Sequence, residues 1–189
     1  MSERERLILQ VNDICVAAAA LELVSASESS LFGPVKPANW DALTSHQDAH
    51  ALRVHGGLVK DGQLTLRART GIKPNGAHGP IPKLSSAFYS DGLLISTDQA
   101  IREYGGLARA IARQPGQTVV RVEVQDVGDL GESVGFGYVR IASTGNKTAN
   151  EVGMGPLQRI DNLRSAQGIY ELDTVTGVWQ TITIYPAPH

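Results

Sequence analysis

A chain of 189 residues, 42 % hydrophobic and 19 % charged, suits one ordinary soluble domain, alone or with an extension, and is too short for two full ones. At this length roughly 70 % of the unfolded chain's surface can be buried, so a core needs no metal or disulfide staple, and the single Cys15 excludes an internal disulfide. Seventeen Lys and Arg against nineteen Asp and Glu leave a net charge of −2, which offers no overall field to gather duplex DNA or an anionic membrane.

Residues 2–31 are rich in Ala, Leu and Glu and lack Gly and Pro, which predicts a helix ended by Ser27–Ser30. Within it, Ile14–Val24 is about half the length that spans a bilayer. Glu3, Glu5, Asn12 and Asp13 spoil any likeness to a secretory leader, so the expectation is neither a membrane span nor a signal peptide. From Gly33 onward Gly and Pro punctuate short apolar runs, the texture of strands and turns. The predicted organisation is therefore a helical extension, 1–45, ahead of a domain at 46–189.

In that domain Leu64–Ala68 and Leu93–Ile95 read as short strands. Asp98–Arg113 reads as a helix, with Asp98 as its N-cap and Pro115-Gly116 preventing its continuation. Thr118–Val124 alternates from Val120 and is rich in β-branched residues, a clear strand. Phe136–Ala142, Gly168–Asp173 and Val178–Tyr185 repeat that signature, the last two joined as a hairpin by Thr-Val-Thr-Gly. Strands outnumber helices and cluster toward the C-terminus, so the class is α+β with mainly antiparallel sheet.

Several chemistries drop out on spacing. No G-x-x-x-x-G-K-[ST] loop, no G-x-S-x-G elbow and no dinucleotide fingerprint is present, since Gly131, Gly135 and Gly137 have the wrong intervals. His46, His50 and His55 lie close together, and a helix would put the first two on one face, but no Cys or suitably spaced Glu completes a zinc set; no metal is expected. Three short motifs remain. Ala51–Gly57 carries Arg53, a cation able to meet an anionic ligand. Asp91–Asp98 reads as a strand delivering Ser96 and Thr97 to its tip, ahead of the helix with Ala100 and Tyr104. Thr148–Gly153 sets Glu151 after a polar, turn-like loop.

In that order the motifs resemble the Arg, Ser-Thr-Ser and Glu signatures of bacterial mono-ADP-ribosyltransferases of the cholera-toxin-like group. His78-Gly-Pro80, Asp91-Gly92, Ile95-Ser-Thr97, Tyr104 and Asn150-Glu-Val152 carry the likeness, which spans about residues 50–175. The resemblance implies an α+β, split β-sandwich fold, mainly antiparallel, with the helical N-terminal extension outside it. It also implies NAD as substrate, and a toxin or effector that acts on a macromolecular, protein acceptor. An immunity protein is a further partner such a toxin could have, and no membrane partner is implied. The place of action is then the producer's cytoplasm or, after delivery, a target cell. Two departures stand out. Ala149 occupies the position where arginine-modifying members carry Glu, and Asp98 stands third in the Ser-Thr-Ser motif.

The chemistry explains the residue types. Breaking the nicotinamide glycosidic bond expels a neutral base, so no proton donor is needed, and one carboxylate at the 2′-hydroxyl can stabilise an oxocarbenium-like transition state. The resemblance gives that role to Glu151, held by Ser96, with Thr97 supporting the strand tip. Arg53 is the expected NAD anchor, and His55, whose His-Gly resembles the diphtheria-toxin-like branch, is its alternative. The backbone of Val54 would meet the nicotinamide amide, and Tyr104 or Tyr89 would stack on its ring. A glycohydrolase on the same fold and a non-catalytic interaction module stay open beside the transferase.

Overall fold

The computed structural model describes residues 43–141 and 155–189, all within the compact unit Val35–His189. Among the described residues six strands form two antiparallel sheets of three. In the first, β1 (Leu84–Phe88), β3 (Gly135–Arg140) and β4 (Leu157–Leu163) stand in the order β1-β3-β4. In the second, β2 (Val119–Val122), β5 (Ser165–Asp173) and β6 (Val178–Ala187) stand in the order β2-β5-β6. Two sheets with helices are the α+β class expected, and neither sheet closes into a barrel. The predicted helix over residues 2–31 lies outside the described residues. No helix among the described residues is long and apolar enough to cross a membrane.

The strands at Val119–Val122, Gly135–Arg140 and in the β5–β6 hairpin answer to their predicted positions; β2 and β6 are rich in β-branched residues, and β3 and β5 carry the aromatic residues Phe136, Tyr138 and Tyr170. In β2, Val120 and Val122 are buried while Val119 and Arg121 are exposed. At the β5–β6 turn, Asp173 Oδ1 accepts the N–H groups of Val175 and Thr176, and Gly177 takes φ +73°.

Two predicted strands are helical instead. Leu64–Ala68 falls inside α2 (Asp61–Thr70), where Leu64 and Ala68, one turn apart, are the buried pair. So short a run fits both periods, and packing decides for the helix. Gln63 Oε1 accepts the Lys60 N–H at its start, and Gly71, left-handed at φ +77°, ends it. Likewise Leu93–Ile95 belongs to α3 (Asp91–Glu103). Its N-cap is Ser90, whose Oγ accepts the Leu93 N–H at 3.1 Å, and not Asp98, which lies two turns in. The predicted helix Asp98–Arg113 is in fact the end of α3, a break at Gly105 with φ +79°, and α4 (Gly106–Arg113). Gly106 is needed there: a Cβ would stand 3.1 Å from Ile101 O and 3.2 Å from Asp126 O. Because Ser90 supplies the side-chain cap of α3, Ser90→Ala should lower stability by about 1 kcal/mol, read as a shift in the urea midpoint at unchanged slope.

The strands β1 and β4 and the short helices α1 (Ala51–His55) and α5 (Val124–Val127) have no counterpart in the sequence reading. Pairing fixes the faces of the first sheet. Ala87 and Phe136 lie opposite each other and pack with Val59 and Leu64, so α2 covers that side. Leu84, Val139 and Ile160 share the other side.

Candidate functional site

In the second sheet, Val120, Val122 and Tyr170 are buried, and the alternating positions Arg121, Gln167 and Tyr185 fall on the opposite face. That face and the open face of the first sheet bound a cleft of about 560 Å³, within the usual range for a small-molecule site. The sheets share no strand ladder. Their edge strands β1 and β6 meet through a side chain: Ser86 Oγ donates to Pro186 O at 2.8 Å.

The wall beside this seam is built by α1. His55 is its last residue, followed by Gly56 and Gly57, which pack against the start of α3 with no room for a Cβ: at Gly57 it would overlap Ser90 Cα and the Asp91 backbone. The Gly57 N–H donates to Asp91 Oδ1 at 2.8 Å. This close approach sets His55 in the cleft lining. Its Nδ1 lies 2.7 Å from Ser86 O, and a carbonyl only accepts, so the proton is on Nδ1. Nε2 then offers a lone pair, which accepts from an Arg67 Nη at 3.2 Å. Burial, with the Arg67 charge adding to it, lowers the pKa of His55 to about 3, so the ring is neutral at pH 7.

Three cations line the cleft: Arg67, Lys83 and Arg121. Arg121 is committed, with Nε 3.0 Å from Glu123 Oε1 and an Nη donating to Tyr185 Oη at 3.1 Å. Tyr185 donates in turn to Gln167 Oε1 at 2.9 Å, and its ring lies 5.2 Å from that of His55. Among the described residues no carboxylate lines the cleft. The site is a cationic, partly aromatic slot suited to a ligand rich in acceptors.

The neutral His55 has a thermodynamic signature. Its folded pKa, about 3, lies below the ordinary 6.5, so the unfolded chain takes up a proton that the folded chain refuses as pH falls through this window. Stability should therefore be full above pH 6.5 and about 2 kcal/mol lower by pH 5 on account of this residue. Burial lowers the pKa of His50 too, with the same sign. Urea unfolding at pH 5 and 7.5 on the wild type and His55→Phe reads the difference; equal pH dependence in both would refute the assignment.

The residues singled out from sequence do not gather at one place. Arg53 is exposed on α1, its guanidinium donating to Ala49 O at 3.0 Å, and it lines a separate groove formed by residues 43–53. Ser96 and Thr97 are not at a strand tip but in the second turn of α3, both buried; Ser96 Oγ donates to Gly92 O, and among the described residues the Thr97 hydroxyl has no hydrogen-bond partner. Neither lines the cleft. Val54 is buried in α1, and Tyr104 caps the end of α3, 56 % exposed. Tyr89 is bound to Asp161 O and stacked on Phe136, on the covered side of the first sheet. His46 lies in a bend and His50 is the N-cap residue of α1, so the two do not share a helical face: His46 Nε2 is 3.2 Å from Glu171 Oε2, and His50 is bonded to Asp48 O. Among the described residues no group of three His, Cys, Asp or Glu could hold a metal ion. Glu151 lies outside the described residues. Of the named candidates, His55 is the one in the cleft.

Asp98, read as a cap and as the third position of a Ser-Thr-Ser motif, is a buried structural centre. Its carboxylate accepts from Tyr170 Oη, Thr181 Oγ1 and Arg102 Nε, tying α3 to the second sheet. Arg67, Gln167 and Tyr185 were not found by sequence reasoning. Arg67 became visible only with a helical reading, which sets it three residues after Leu64 and four before Gly71, near the buried side of α2. No protein-family model, curated protein or solved structure matches the chain.

Proposed function

We propose that the chain is an NAD-dependent mono-ADP-ribosyltransferase that holds NAD in the cleft between its two sheets, on an ADP-ribosyltransferase-like split β-sandwich. The observation that carries this reading is the cleft itself: a slot between two antiparallel sheets that meet at edge strands, with the His-Gly of a family-like motif in its wall and cations facing inward. The cleft's size and donor groups fit a dinucleotide diphosphate, which offers many acceptors and little positive charge. On this reading the motif residue at the NAD site is His55, the diphtheria-toxin-like alternative, in place of Arg53; both its ring nitrogens are bonded within the protein, so it shapes the site and leaves the ligand contact to its neighbours.

The reaction needs little from the protein beyond binding and charge. The C1′–N bond of the nicotinamide riboside breaks, its electron pair neutralises the pyridinium ring, and neutral nicotinamide leaves. A lone pair on the acceptor then forms the new bond to C1′, and the acceptor releases its proton. A carboxylate at the 2′-hydroxyl lowers the barrier through its charge. The described lining contains no carboxylate, and the family resemblance supplies Glu151, in the connection between β3 and β4, whose Val139 and Ile160 line the cleft.

The test is incubation with NAD labelled in the adenylate half, with and without a cell lysate. Label on protein supports transfer; nicotinamide release with no labelled protein supports the glycohydrolase; unconsumed NAD would remove the enzymatic reading and leave an interaction module.

A further inference from the structure

Among the described residues two cleft cations, Arg67 and Lys83, pair with no carboxylate, and of the two Arg67 is the half-buried one. Among the described residues its one hydrogen-bonding partner is His55 Nε2, and no carboxylate pairs with it. A guanidinium carries five N–H donors, so most of its capacity is unspent while it sits half-buried in the slot. Burying such a charge without a partner is costly, and folded proteins rarely leave it so without a role. His55 makes the arrangement specific. Its Nδ1–H is fixed by Ser86 O, so Nε2 is obliged to accept, and the neutral ring orients the guanidinium without cancelling its charge. A carboxylate in that position would have neutralised the cation. Lys83 is exposed in the same lining, and Arg121 is engaged by Glu123 and Tyr185.

We propose that Arg67, aimed by His55, is the phosphate-binding residue of the cleft and takes the diphosphate of a nucleotide ligand. This deepens the NAD reading by naming the diphosphate contact, and it also stands for a phosphate ester of another kind. His55 acts here as a positioning residue, because it reaches the anion through Arg67.

Calorimetric titration of the full chain with inorganic pyrophosphate and with ADP-ribose tests it. The wild type should bind both, pyrophosphate should displace ADP-ribose, and affinity should fall as salt rises. Arg67→Gln should weaken both by about tenfold or more, and Arg67→Lys should recover part of the loss, since charge returns without the fork. His55→Phe should weaken pyrophosphate binding in the wild-type background and have no further effect in Arg67→Gln, a coupling that a merely structural histidine would not produce. Binding of pyrophosphate without ADP-ribose would support the anion site and overturn the NAD reading. Failure of the wild type to bind either ligand, or unchanged affinity in folded Arg67→Gln, would overturn the inference.

Discussion

Asp98→Ala should cost about 3–5 kcal/mol of unfolding free energy, the largest loss expected from any single side chain described above. The carboxylate is 1 % exposed and receives three donors: Tyr170 Oη at 2.8 Å, Thr181 Oγ1 at 2.8 Å and Arg102 Nε at 2.9 Å. Truncation strands two buried hydroxyls and leaves Arg102 without its carboxylate, though still bonded to Trp179 O and Thr181 Oγ1. Arg102 keeps a quarter of its side-chain surface in water, which holds the loss toward the lower end of that range. Tyr170 is buried beside Asp98, and both burial and that negative charge raise its pKa well above 10, so it remains a donor. Asp98→Asn keeps an acceptor and should lose less than half as much. Urea denaturation at neutral pH measures both; a loss below about 1 kcal/mol for Asp98→Ala would show that this network does not clamp α3 to the second sheet.

If the chain is the transferase proposed above, Glu151→Gln should slow nicotinamide release on the order of 100-fold while leaving ADP-ribose affinity nearly unchanged. The substitution keeps size and hydrogen bonding and removes the negative charge, which matters only as positive charge grows on the ribose. Its effect therefore belongs to the rate and not to the affinity. Arg67→Gln should show the reverse balance, with affinity lost first. Single-turnover release of nicotinamide, beside calorimetric binding of ADP-ribose, separates the two roles. Near-normal turnover in Glu151→Gln would exclude this carboxylate and direct attention to Glu132 and Glu123, the latter held 3.0 Å from Arg121.

What could be read from the chain depended on whether a residue's local pattern and its long-range packing agreed. In β2 and the β5–β6 hairpin they agree, and alternation located the strands. In β1 they do not: Ser85 and Ser86 are fully buried, so a strand central to the site carries a polar sequence. The edge strand β4 is exposed along most of its length and shows no alternation. Ser96 and Thr97 misled for a related reason. Leu-Leu-Ile before them has β-like composition, yet Leu94, Ile95, Asp98 and Ile101 bury one side of a helix that Ser90 caps. The cleft draws on residues of α1, α2 and both sheets, with His55 and Tyr185 130 positions apart, and only strand pairing together with the packing of the helices brings them to one place. His55 was legible as part of a His-Gly pair, whereas its dependence on Ser86 and its grip on Arg67 are properties of the folded chain alone.

The seam between the sheets has a chemical consequence. No backbone ladder holds the two walls along their length; among the described residues they are tied where Ser86 Oγ donates to Pro186 O, where Gly135 packs on Pro186, and where Arg164 alone connects β4 to β5. Because the carbonyl of that same serine fixes the His55 tautomer, the residue that links the two edge strands also decides which ring nitrogen faces Arg67.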